Sequence, residues 1–260
     1  MNDLIPPKST IRVGHFVPEL YQSSQTNRGC TGCHFSMRRP VGQNRWFHGS
    51  QLGVEVAGTI GGRVRYVAGV VEWNGNLQNS SKDPYARVAV KIGGLALDGR
   101  GTKGAGSAAD NWVDNSVETG AFVYWGNPSV DSKDTSGKPV TLDDRFLVLG
   151  GDIFATFGNL ALYGLGIFEK HSRPTYDRRD VWVERYVARA RYVVLPWLIP
   201  EVTFEYFNTE LDNDMTYQVA GSVDVLVRAN VKLWVEVIGR RDVLASFGFN
   251  SARLVLDVGF

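Results

Sequence analysis

From residue 51 to its end, this chain is written with a period of two. Val219, Gly221, Val223, Val225 and Val227 alternate with Gln218, Ala220, Ser222, Asp224 and Arg228. The pattern returns in Val231, Leu233, Val235 and Val237 against Lys232, Trp234 and Glu236. Alternation sustained this far means strands, because an extended chain points successive side chains to opposite faces and a helix does not. Similar runs lie near 51–60, 63–74, 85–97, 117–126, 144–157, 159–170, 181–195, 199–211 and 246–260. Together they predict eleven strands, with no amphipathic helix and no domain boundary among them. A twelfth near 10–20 (Ile11, Val13, Phe16) brings the count to the even number usual for a single-chain bacterial barrel.

The connectors also alternate. Gly61-Gly62, Gly158-Asn159, Leu195-Pro196-Trp197 and Ala229-Asn230 read as tight turns, and polar stretches at 74–84, 127–143, 171–180, 209–215 and 239–245 read as loops. Short turns on one rim and long loops on the other is the plan of an outer-membrane barrel. Only the Gly-rich stretch 98–116 is long where a short turn is due.

The two strand faces separate a membrane barrel from a soluble sandwich. One face carries both signs of charge: Glu55, Arg63, Arg65, Arg87, Lys91, Arg185, Arg189, Arg191, Glu201, Glu205, Asp224, Arg228, Lys232, Glu236, Arg253 and Asp257. That suits a polar lumen laced with ion pairs. The other face offers Val, Leu, Ala and Gly, with Tyr66, Tyr192, Phe204 and Tyr206 available for interfacial girdles. A soluble β-sandwich with a wet outer face is the competing reading. Leu254, Leu256, Val258 and Phe260 place apolar residues at every second position up to a C-terminal aromatic, which resembles the terminal-strand signal of bacterial outer-membrane barrels.

Composition closes other routes. Lys+Arg number 28 against 27 Asp+Glu, so the broad positive field of a dedicated nucleic-acid binder is missing. At 43% apolar residues the chain is too apolar for disorder. No run approaches the roughly 20 apolar residues of a membrane helix. Met1–Pro7 shows no basic segment leading into an apolar one, so an export signal is expected to have been processed or to lie outside this sequence.

One motif carries chemistry. Cys30-Thr31-Gly32-Cys33-His34 is a C-x-x-C-H sequence, read as covalent attachment of one haem c, with two thiols on the porphyrin and His34 on the iron. The alternatives are a thioredoxin-like pair, which needs a βαβ unit, a local disulfide, and half a zinc site, which would need His15 and His48 to complete it. The second axial ligand is His48, flanked by Trp46 and Phe47, or His15; an open iron is the other option. Met37 is too close in sequence, and His171, in an expected loop, is a candidate only if the haem segment folds toward that rim. Haem attachment and barrel insertion both take place outside the cytoplasm, so the two features agree on compartment. No hydrolase or nucleotide motif occurs, and no distal acid–base set supports a peroxidase, so no catalytic residue is assigned.

With these residues in view, the chain resembles the monohaem cytochrome–porin fusions of the bacterial outer membrane. The likeness runs from Phe16-Val17-Pro18 through Cys30–His34 and Asn44-Arg45-Trp46-Phe47. It continues through Lys82–Arg87 to Gly93–Gly99, and through Asn111-Trp112 to Gly126-Asn127. Members are usually longer, with a larger barrel and a signal peptide, which makes this chain a compact relative or part of a longer one. The expectation is therefore an all-β, antiparallel transmembrane β-barrel of about twelve strands (10–12). A haem c-binding segment (1–50, with a possible first strand at 10–20) precedes the porin-like barrel at 51–260. The resemblance implies electron transfer across or at the outer membrane. Its expected partners are lipid, periplasmic or extracellular electron-transfer cytochromes and, as donor, Fe(II); no nucleic acid is expected. The rival expectation is a diffusion porin whose haem segment docks a partner or serves structure. Arg185, Arg189 and Arg191 would neutralise haem propionates, or simply pair with Glu201 and Glu205 on the next strand.

Overall fold

The computed structural model describes residues 9–22, 41, 50–72, 82–97, 115–211, 214–228, 231–241 and 247–258. The strands are β1 (Thr10–Phe16), β2 (Gln51–Ile60), β3 (Val64–Glu72), β4 (Asp83–Gly93), β5 (Ser116–Gly126), β6 (Ser129–Lys133) and β7 (Pro139–Asp143). They continue as β8 (Phe146–Phe157), β9 (Leu160–His171), β10 (Val181–Tyr192), β11 (Leu198–Thr209), β12 (Asp214–Arg228), β13 (Val231–Arg241) and β14 (Gly248–Val258). Twelve of them form one sheet in chain order, β1 to β5 and then β8 to β14, each antiparallel to its neighbours. The twelfth strand, expected near 10–20, is β1, which pairs with β2 from Thr10↔Ala57 to Phe16↔Gln51. Among the described residues no pairing joins β1 to β14. The remaining two strands, β6 and β7, form a separate hairpin inside the expected loop 127–143. Its turn is fastened by Asp134, which accepts from Ser136 N–H (2.8 Å), Ser136 Oγ (2.7 Å) and Lys138 N–H (2.8 Å). The Ser136 hydroxyl foremost, with these backbone donors, holds the Asp134 carboxyl below its usual range.

Turn chemistry sets one rim. Gly61 and Gly62 both take left-handed backbone angles (φ 56° and 67°), as a two-residue turn matched to strand twist requires. Gly158 (φ 55°) does the same between β8 and β9. Strand parity then puts the C-terminal ends of β1, β3, β5 and β9 on the opposite, loop rim.

The alternation sorts the faces as the sequence predicts. Glu55, Arg65, Arg87, Arg185, Arg189, Glu205 and Asp224 point inward, whereas Leu52, Val54, Val88, Leu149, Val202 and Leu254 are exposed on the other side. The single sheet and its exposed apolar face do not fit a two-sheet soluble sandwich. Arg63 departs from the expected pattern: it lies in the β2–β3 turn and donates to the carbonyls of Gly93 and Gly94, fastening the rim. Outward aromatics gather at the strand ends, with Tyr66, Phe157 and Tyr192 near the turn rim and Trp125, Trp182 and Tyr206 near the loop rim. Trp182 and Tyr192 bracket β10. At a rise of about 3.3 Å per residue and a tilt of about 40°, ten residues span roughly 25 Å, the height of an outer-membrane apolar band.

The inner face is less polar than expected. Val67, Val71, Phe122, Val148, Leu165, Ile167 and Val187 point inward and pack into one buried cluster. Two cross-strand pairs fill glycine hollows there, with Phe122 lying over Gly150 and Phe146 over Gly126. An apolar inner surface in a polar channel needs a cover, and the chain supplies one.

Candidate functional site: a strap inside the barrel wall

After Phe16 the chain turns inward. Residues 17–22 form a strap, bent where Leu20 N–H donates to the Pro18 carbonyl (3.1 Å), that lies against the inner face of the sheet. Leu20 and Tyr21 are buried in the apolar cluster, and the Tyr21 ring sits 6.1 Å from that of Phe122. This contact explains why β8 and β9 lack clean alternation. The stretches Phe146–Leu149 and Leu162–Phe168 are apolar on both faces, because one face meets the outside and the other meets the strap.

Polar contacts fix the strap along its length. Glu55, fully buried on β2, accepts from Arg12 Nε (2.8 Å), the Tyr85 hydroxyl (2.6 Å) and the Glu19 N–H (3.1 Å). The Glu19 carboxylate takes both prongs of the Arg65 guanidinium. At the far end, Gln22 N–H donates to Asp152 Oδ2 (2.8 Å), which also receives Arg87 Nη2 (3.1 Å). Glu118 lies 3.6 Å from the same guanidinium. Gly120 makes this junction possible, since a Cβ there would stand 2.7 Å from Asp152 Oδ1 and 2.9 Å from Arg87 Nη2.

A second network crosses β4 to β11 toward the loop rim. Rings of Tyr85, Tyr124, Phe146 and His171 follow one another at 6.2, 5.8 and 5.3 Å. His171 is not in a loop, as the sequence reading had it. It ends β9, fully buried, with Nδ1 2.8 Å from Asp144 and Nε2 3.2 Å from Glu169. Glu169 pairs in turn with Arg185, which lies 4.8 Å over the Phe207 ring. Both imidazole nitrogens are engaged by carboxylates, which removes His171 from the candidate iron ligands. Val41 packs just beyond, against Val181, Val183 and Phe207.

Of the predicted haem residues, Cys30, Cys33, His34 and His48 lie outside the described residues. His15 is on β1, in register with Leu52 and sharing its outward parity with the exposed Ile11 and Val13. The described parts of the same connection, 17–22 and Val41, are both inside the wall. Among the described residues no group of three or more His, Cys, Asp or Glu is placed to hold a metal ion.

The arginines predicted to face the lumen do so. Arg185 pairs with Glu169 and Arg189 lies 3.9 Å from the expected Glu201, whereas Arg191 Nη2 takes Asp224 (3.1 Å) and not Glu201. Register explains the difference, since Arg191 stands opposite Glu201 on β11 but reaches past it to β12.

No protein-family model matches the chain, and no curated protein matches it. Solved structures do. The anion-selective porin from Comamonas acidovorans superposes with a TM-score of 0.63 at 12% identity, covering 95% of this chain and 68% of that one. The outer membrane channel DcaP of Acinetobacter baumannii gives 0.59 at 11% identity, covering 96% and 72%. A loop-deletion variant of OmpT, an outer membrane protein of Vibrio cholerae, gives 0.57 at 12%, covering 95% and 76%. At such identities the likeness is one of architecture, and the architecture is the β-barrel of outer-membrane porins.

Proposed function

We propose that this chain is an outer-membrane cytochrome–porin that carries one covalent haem c between its first two strands and passes electrons across or at the membrane. The apolar outer face, the paired aromatic girdles and the porin architecture support residence in the outer membrane. The observation that carries the rest is the position of the C-x-x-C-H motif within the β1–β2 connection, whose described parts lie inside the wall on either side of it. Gln22 and Cys30 are eight positions apart, and so are Cys33 and Val41. Each tether reaches at most about 28 Å when fully extended. Bound haem c would supply one-electron chemistry, accepting an electron from a donor such as Fe(II), which becomes Fe(III), and yielding it to a cytochrome partner. The chain's own part is to hold the attachment segment at both ends, through the strap at Gln22 and through Val41.

The buried donors fit a group bearing two carboxylates. Arg87 Nε and Nη1, Arg189 Nε and Arg191 Nε have no acceptor among the described residues. A diffusion porin is the second reading, favoured by the porin neighbours. The strap argues against an unobstructed lumen.

The test is an absorption spectrum with pyridine haemochrome on protein exported with cytochrome c maturation and extracted from outer membranes. The expected result is a c-type spectrum, lost in Cys30→Ala/Cys33→Ala, with the oxidised form reduced by added Fe(II). Colourless protein that inserts and conducts ions would overturn electron transfer and leave the porin.

A further inference from the structure

Where the strap ends, the inner wall holds a cavity of about 210 Å³ in its turn-rim half, lined by Gln22, Phe154, Tyr163, Arg189, Arg191 and Glu201 among others. Its polar atoms are unusually underused. The Arg189 guanidinium lies 5.1 Å over the Tyr163 ring, its nearest carboxylate is beyond hydrogen-bond reach, and its buried Nε meets no acceptor among the described residues. Among the described residues, Arg191 commits Nη2 to Asp224 but leaves its buried Nε without an acceptor, and Gln22 Oε1 is buried with no donor although its backbone N–H is tied to Asp152. Turning that amide over presents its NH₂ to the same space. Buried guanidinium nitrogens without acceptors are costly, and two of them, Arg189 Nε and Arg191 Nε, beside one hollow mark a missing acceptor group.

We propose that this cavity is a carboxylate site in which Arg189 and Arg191 grip the two oxygens while Phe154 and Tyr163 flank a short apolar arm. A carboxylate supplies about four acceptor positions in one plane, matched to the guanidinium edge. The volume exceeds one water's share of about 30 Å³ several-fold, which leaves room for a few methylenes. Asp224 already occupies one face of Arg191 and Glu201 opposes an added anion, so weak binding of a free ligand is expected. Two sources share this chemistry, namely a propionate arm of haem attached at Cys30 and Cys33, and a free short-chain carboxylate entering from the turn rim. The first source rests on the proposed haem and the second does not.

Isotope-labelled propionate is titrated by NMR into haem-free protein in detergent. Both Cys30→Ala/Cys33→Ala and the unaltered chain made without haem attachment are used. Saturable binding is expected, weakened about tenfold or more by Arg189→Gln/Arg191→Gln and measurably by Arg189→Lys, which keeps the charge and loses the fork. Strand circular dichroism verifies folding, and the lysine variant serves if the double variant fails to fold. In haem-loaded protein, loss of propionate binding together with a shifted propionate-bending band in the resonance Raman spectrum of Arg189→Lys assigns the site to the haem arm. Equal binding with and without haem assigns it to a free carboxylate. If no haem attaches, the electron-transfer reading fails and the titration still decides this site. Binding that neither arginine variant changes, or no saturable binding in haem-free protein with no Raman shift in the loaded form, overturns the proposal and leaves ordered water as the filling.

Discussion

Replacing Glu55 by Gln tests whether the strap is held as its contacts indicate. The carboxylate is fully buried and takes three donors: Arg12, the Tyr85 hydroxyl and the Glu19 N–H. Glutamine has almost the same shape, but its NH₂ cannot accept. The Tyr85 and Glu19 donors both point at Oε2, so one amide orientation deprives the pair of its acceptor and the other deprives Arg12. Hydrogen bonds to a buried charged acceptor contribute about 1.5–3 kcal/mol each. Arg12 is one-third exposed, so its share is discounted to about 1 kcal/mol. The amide that keeps the Tyr85 and Glu19 bonds gives up Arg12 and lowers the other two from charged to neutral strength, about 1 kcal/mol each, so Glu55→Gln should lose about 3 kcal/mol. Urea unfolding in lipid vesicles, followed by tryptophan fluorescence, reads this directly. Because the strap covers the inner face, single-channel recording in a planar bilayer should show larger or more frequent openings in the variant than in the parent. Unchanged urea midpoint and unchanged conductance would refute the argument that this carboxylate anchors a strap across the lumen.

Val88→Arg, on the exposed outward face of β4, should cost about 2–4 kcal/mol in a bilayer, whereas an exposed valine of a soluble sheet would tolerate it within about 0.5 kcal/mol. Vesicle unfolding at the smaller figure would remove that face from the lipid. Gly120→Val should destabilise by about 1–3 kcal/mol, because the added carbons press on the Arg87–Asp152 junction. Gly221→Val, where a Cβ meets nothing within 4 Å, should be neutral in the same assay.

How much of this was legible in the sequence varies with the range of the interaction. Strand faces were legible because period-two alternation is a local property of an extended chain. It placed Glu55, Arg87, Arg185 and Asp224 inward and Val223, Val235 and Leu254 outward. The Gly61-Gly62 turn was legible because only glycine takes its angles cheaply. The Cys30–His34 motif lies outside the described residues, so the haem proposal rests on contiguous sequence.

The strap and its anchors were decided by tertiary structure alone. No local pattern tells residues 17–22 to fold back across the sheet, and Gln22 meets Asp152 across 130 positions of chain. The one trace in the sequence was the failure of alternation in β8 and β9, which can be recognised as a covered inner face only once the cover is known. Pair choice followed the same rule. Arginines at 185, 189 and 191 announce an inward charged face. Which carboxylate each one meets depends on strand register and side-chain reach, as Arg191 passing Glu201 for Asp224 demonstrates. His171 ran against its local context for a like reason. Its sequence neighbours are polar, but the closing of β9 against β8 and β10 buries it between Asp144 and Glu169. Local periodicity thus set which way each side chain points, and the folding of distant segments onto one another set what it finds there.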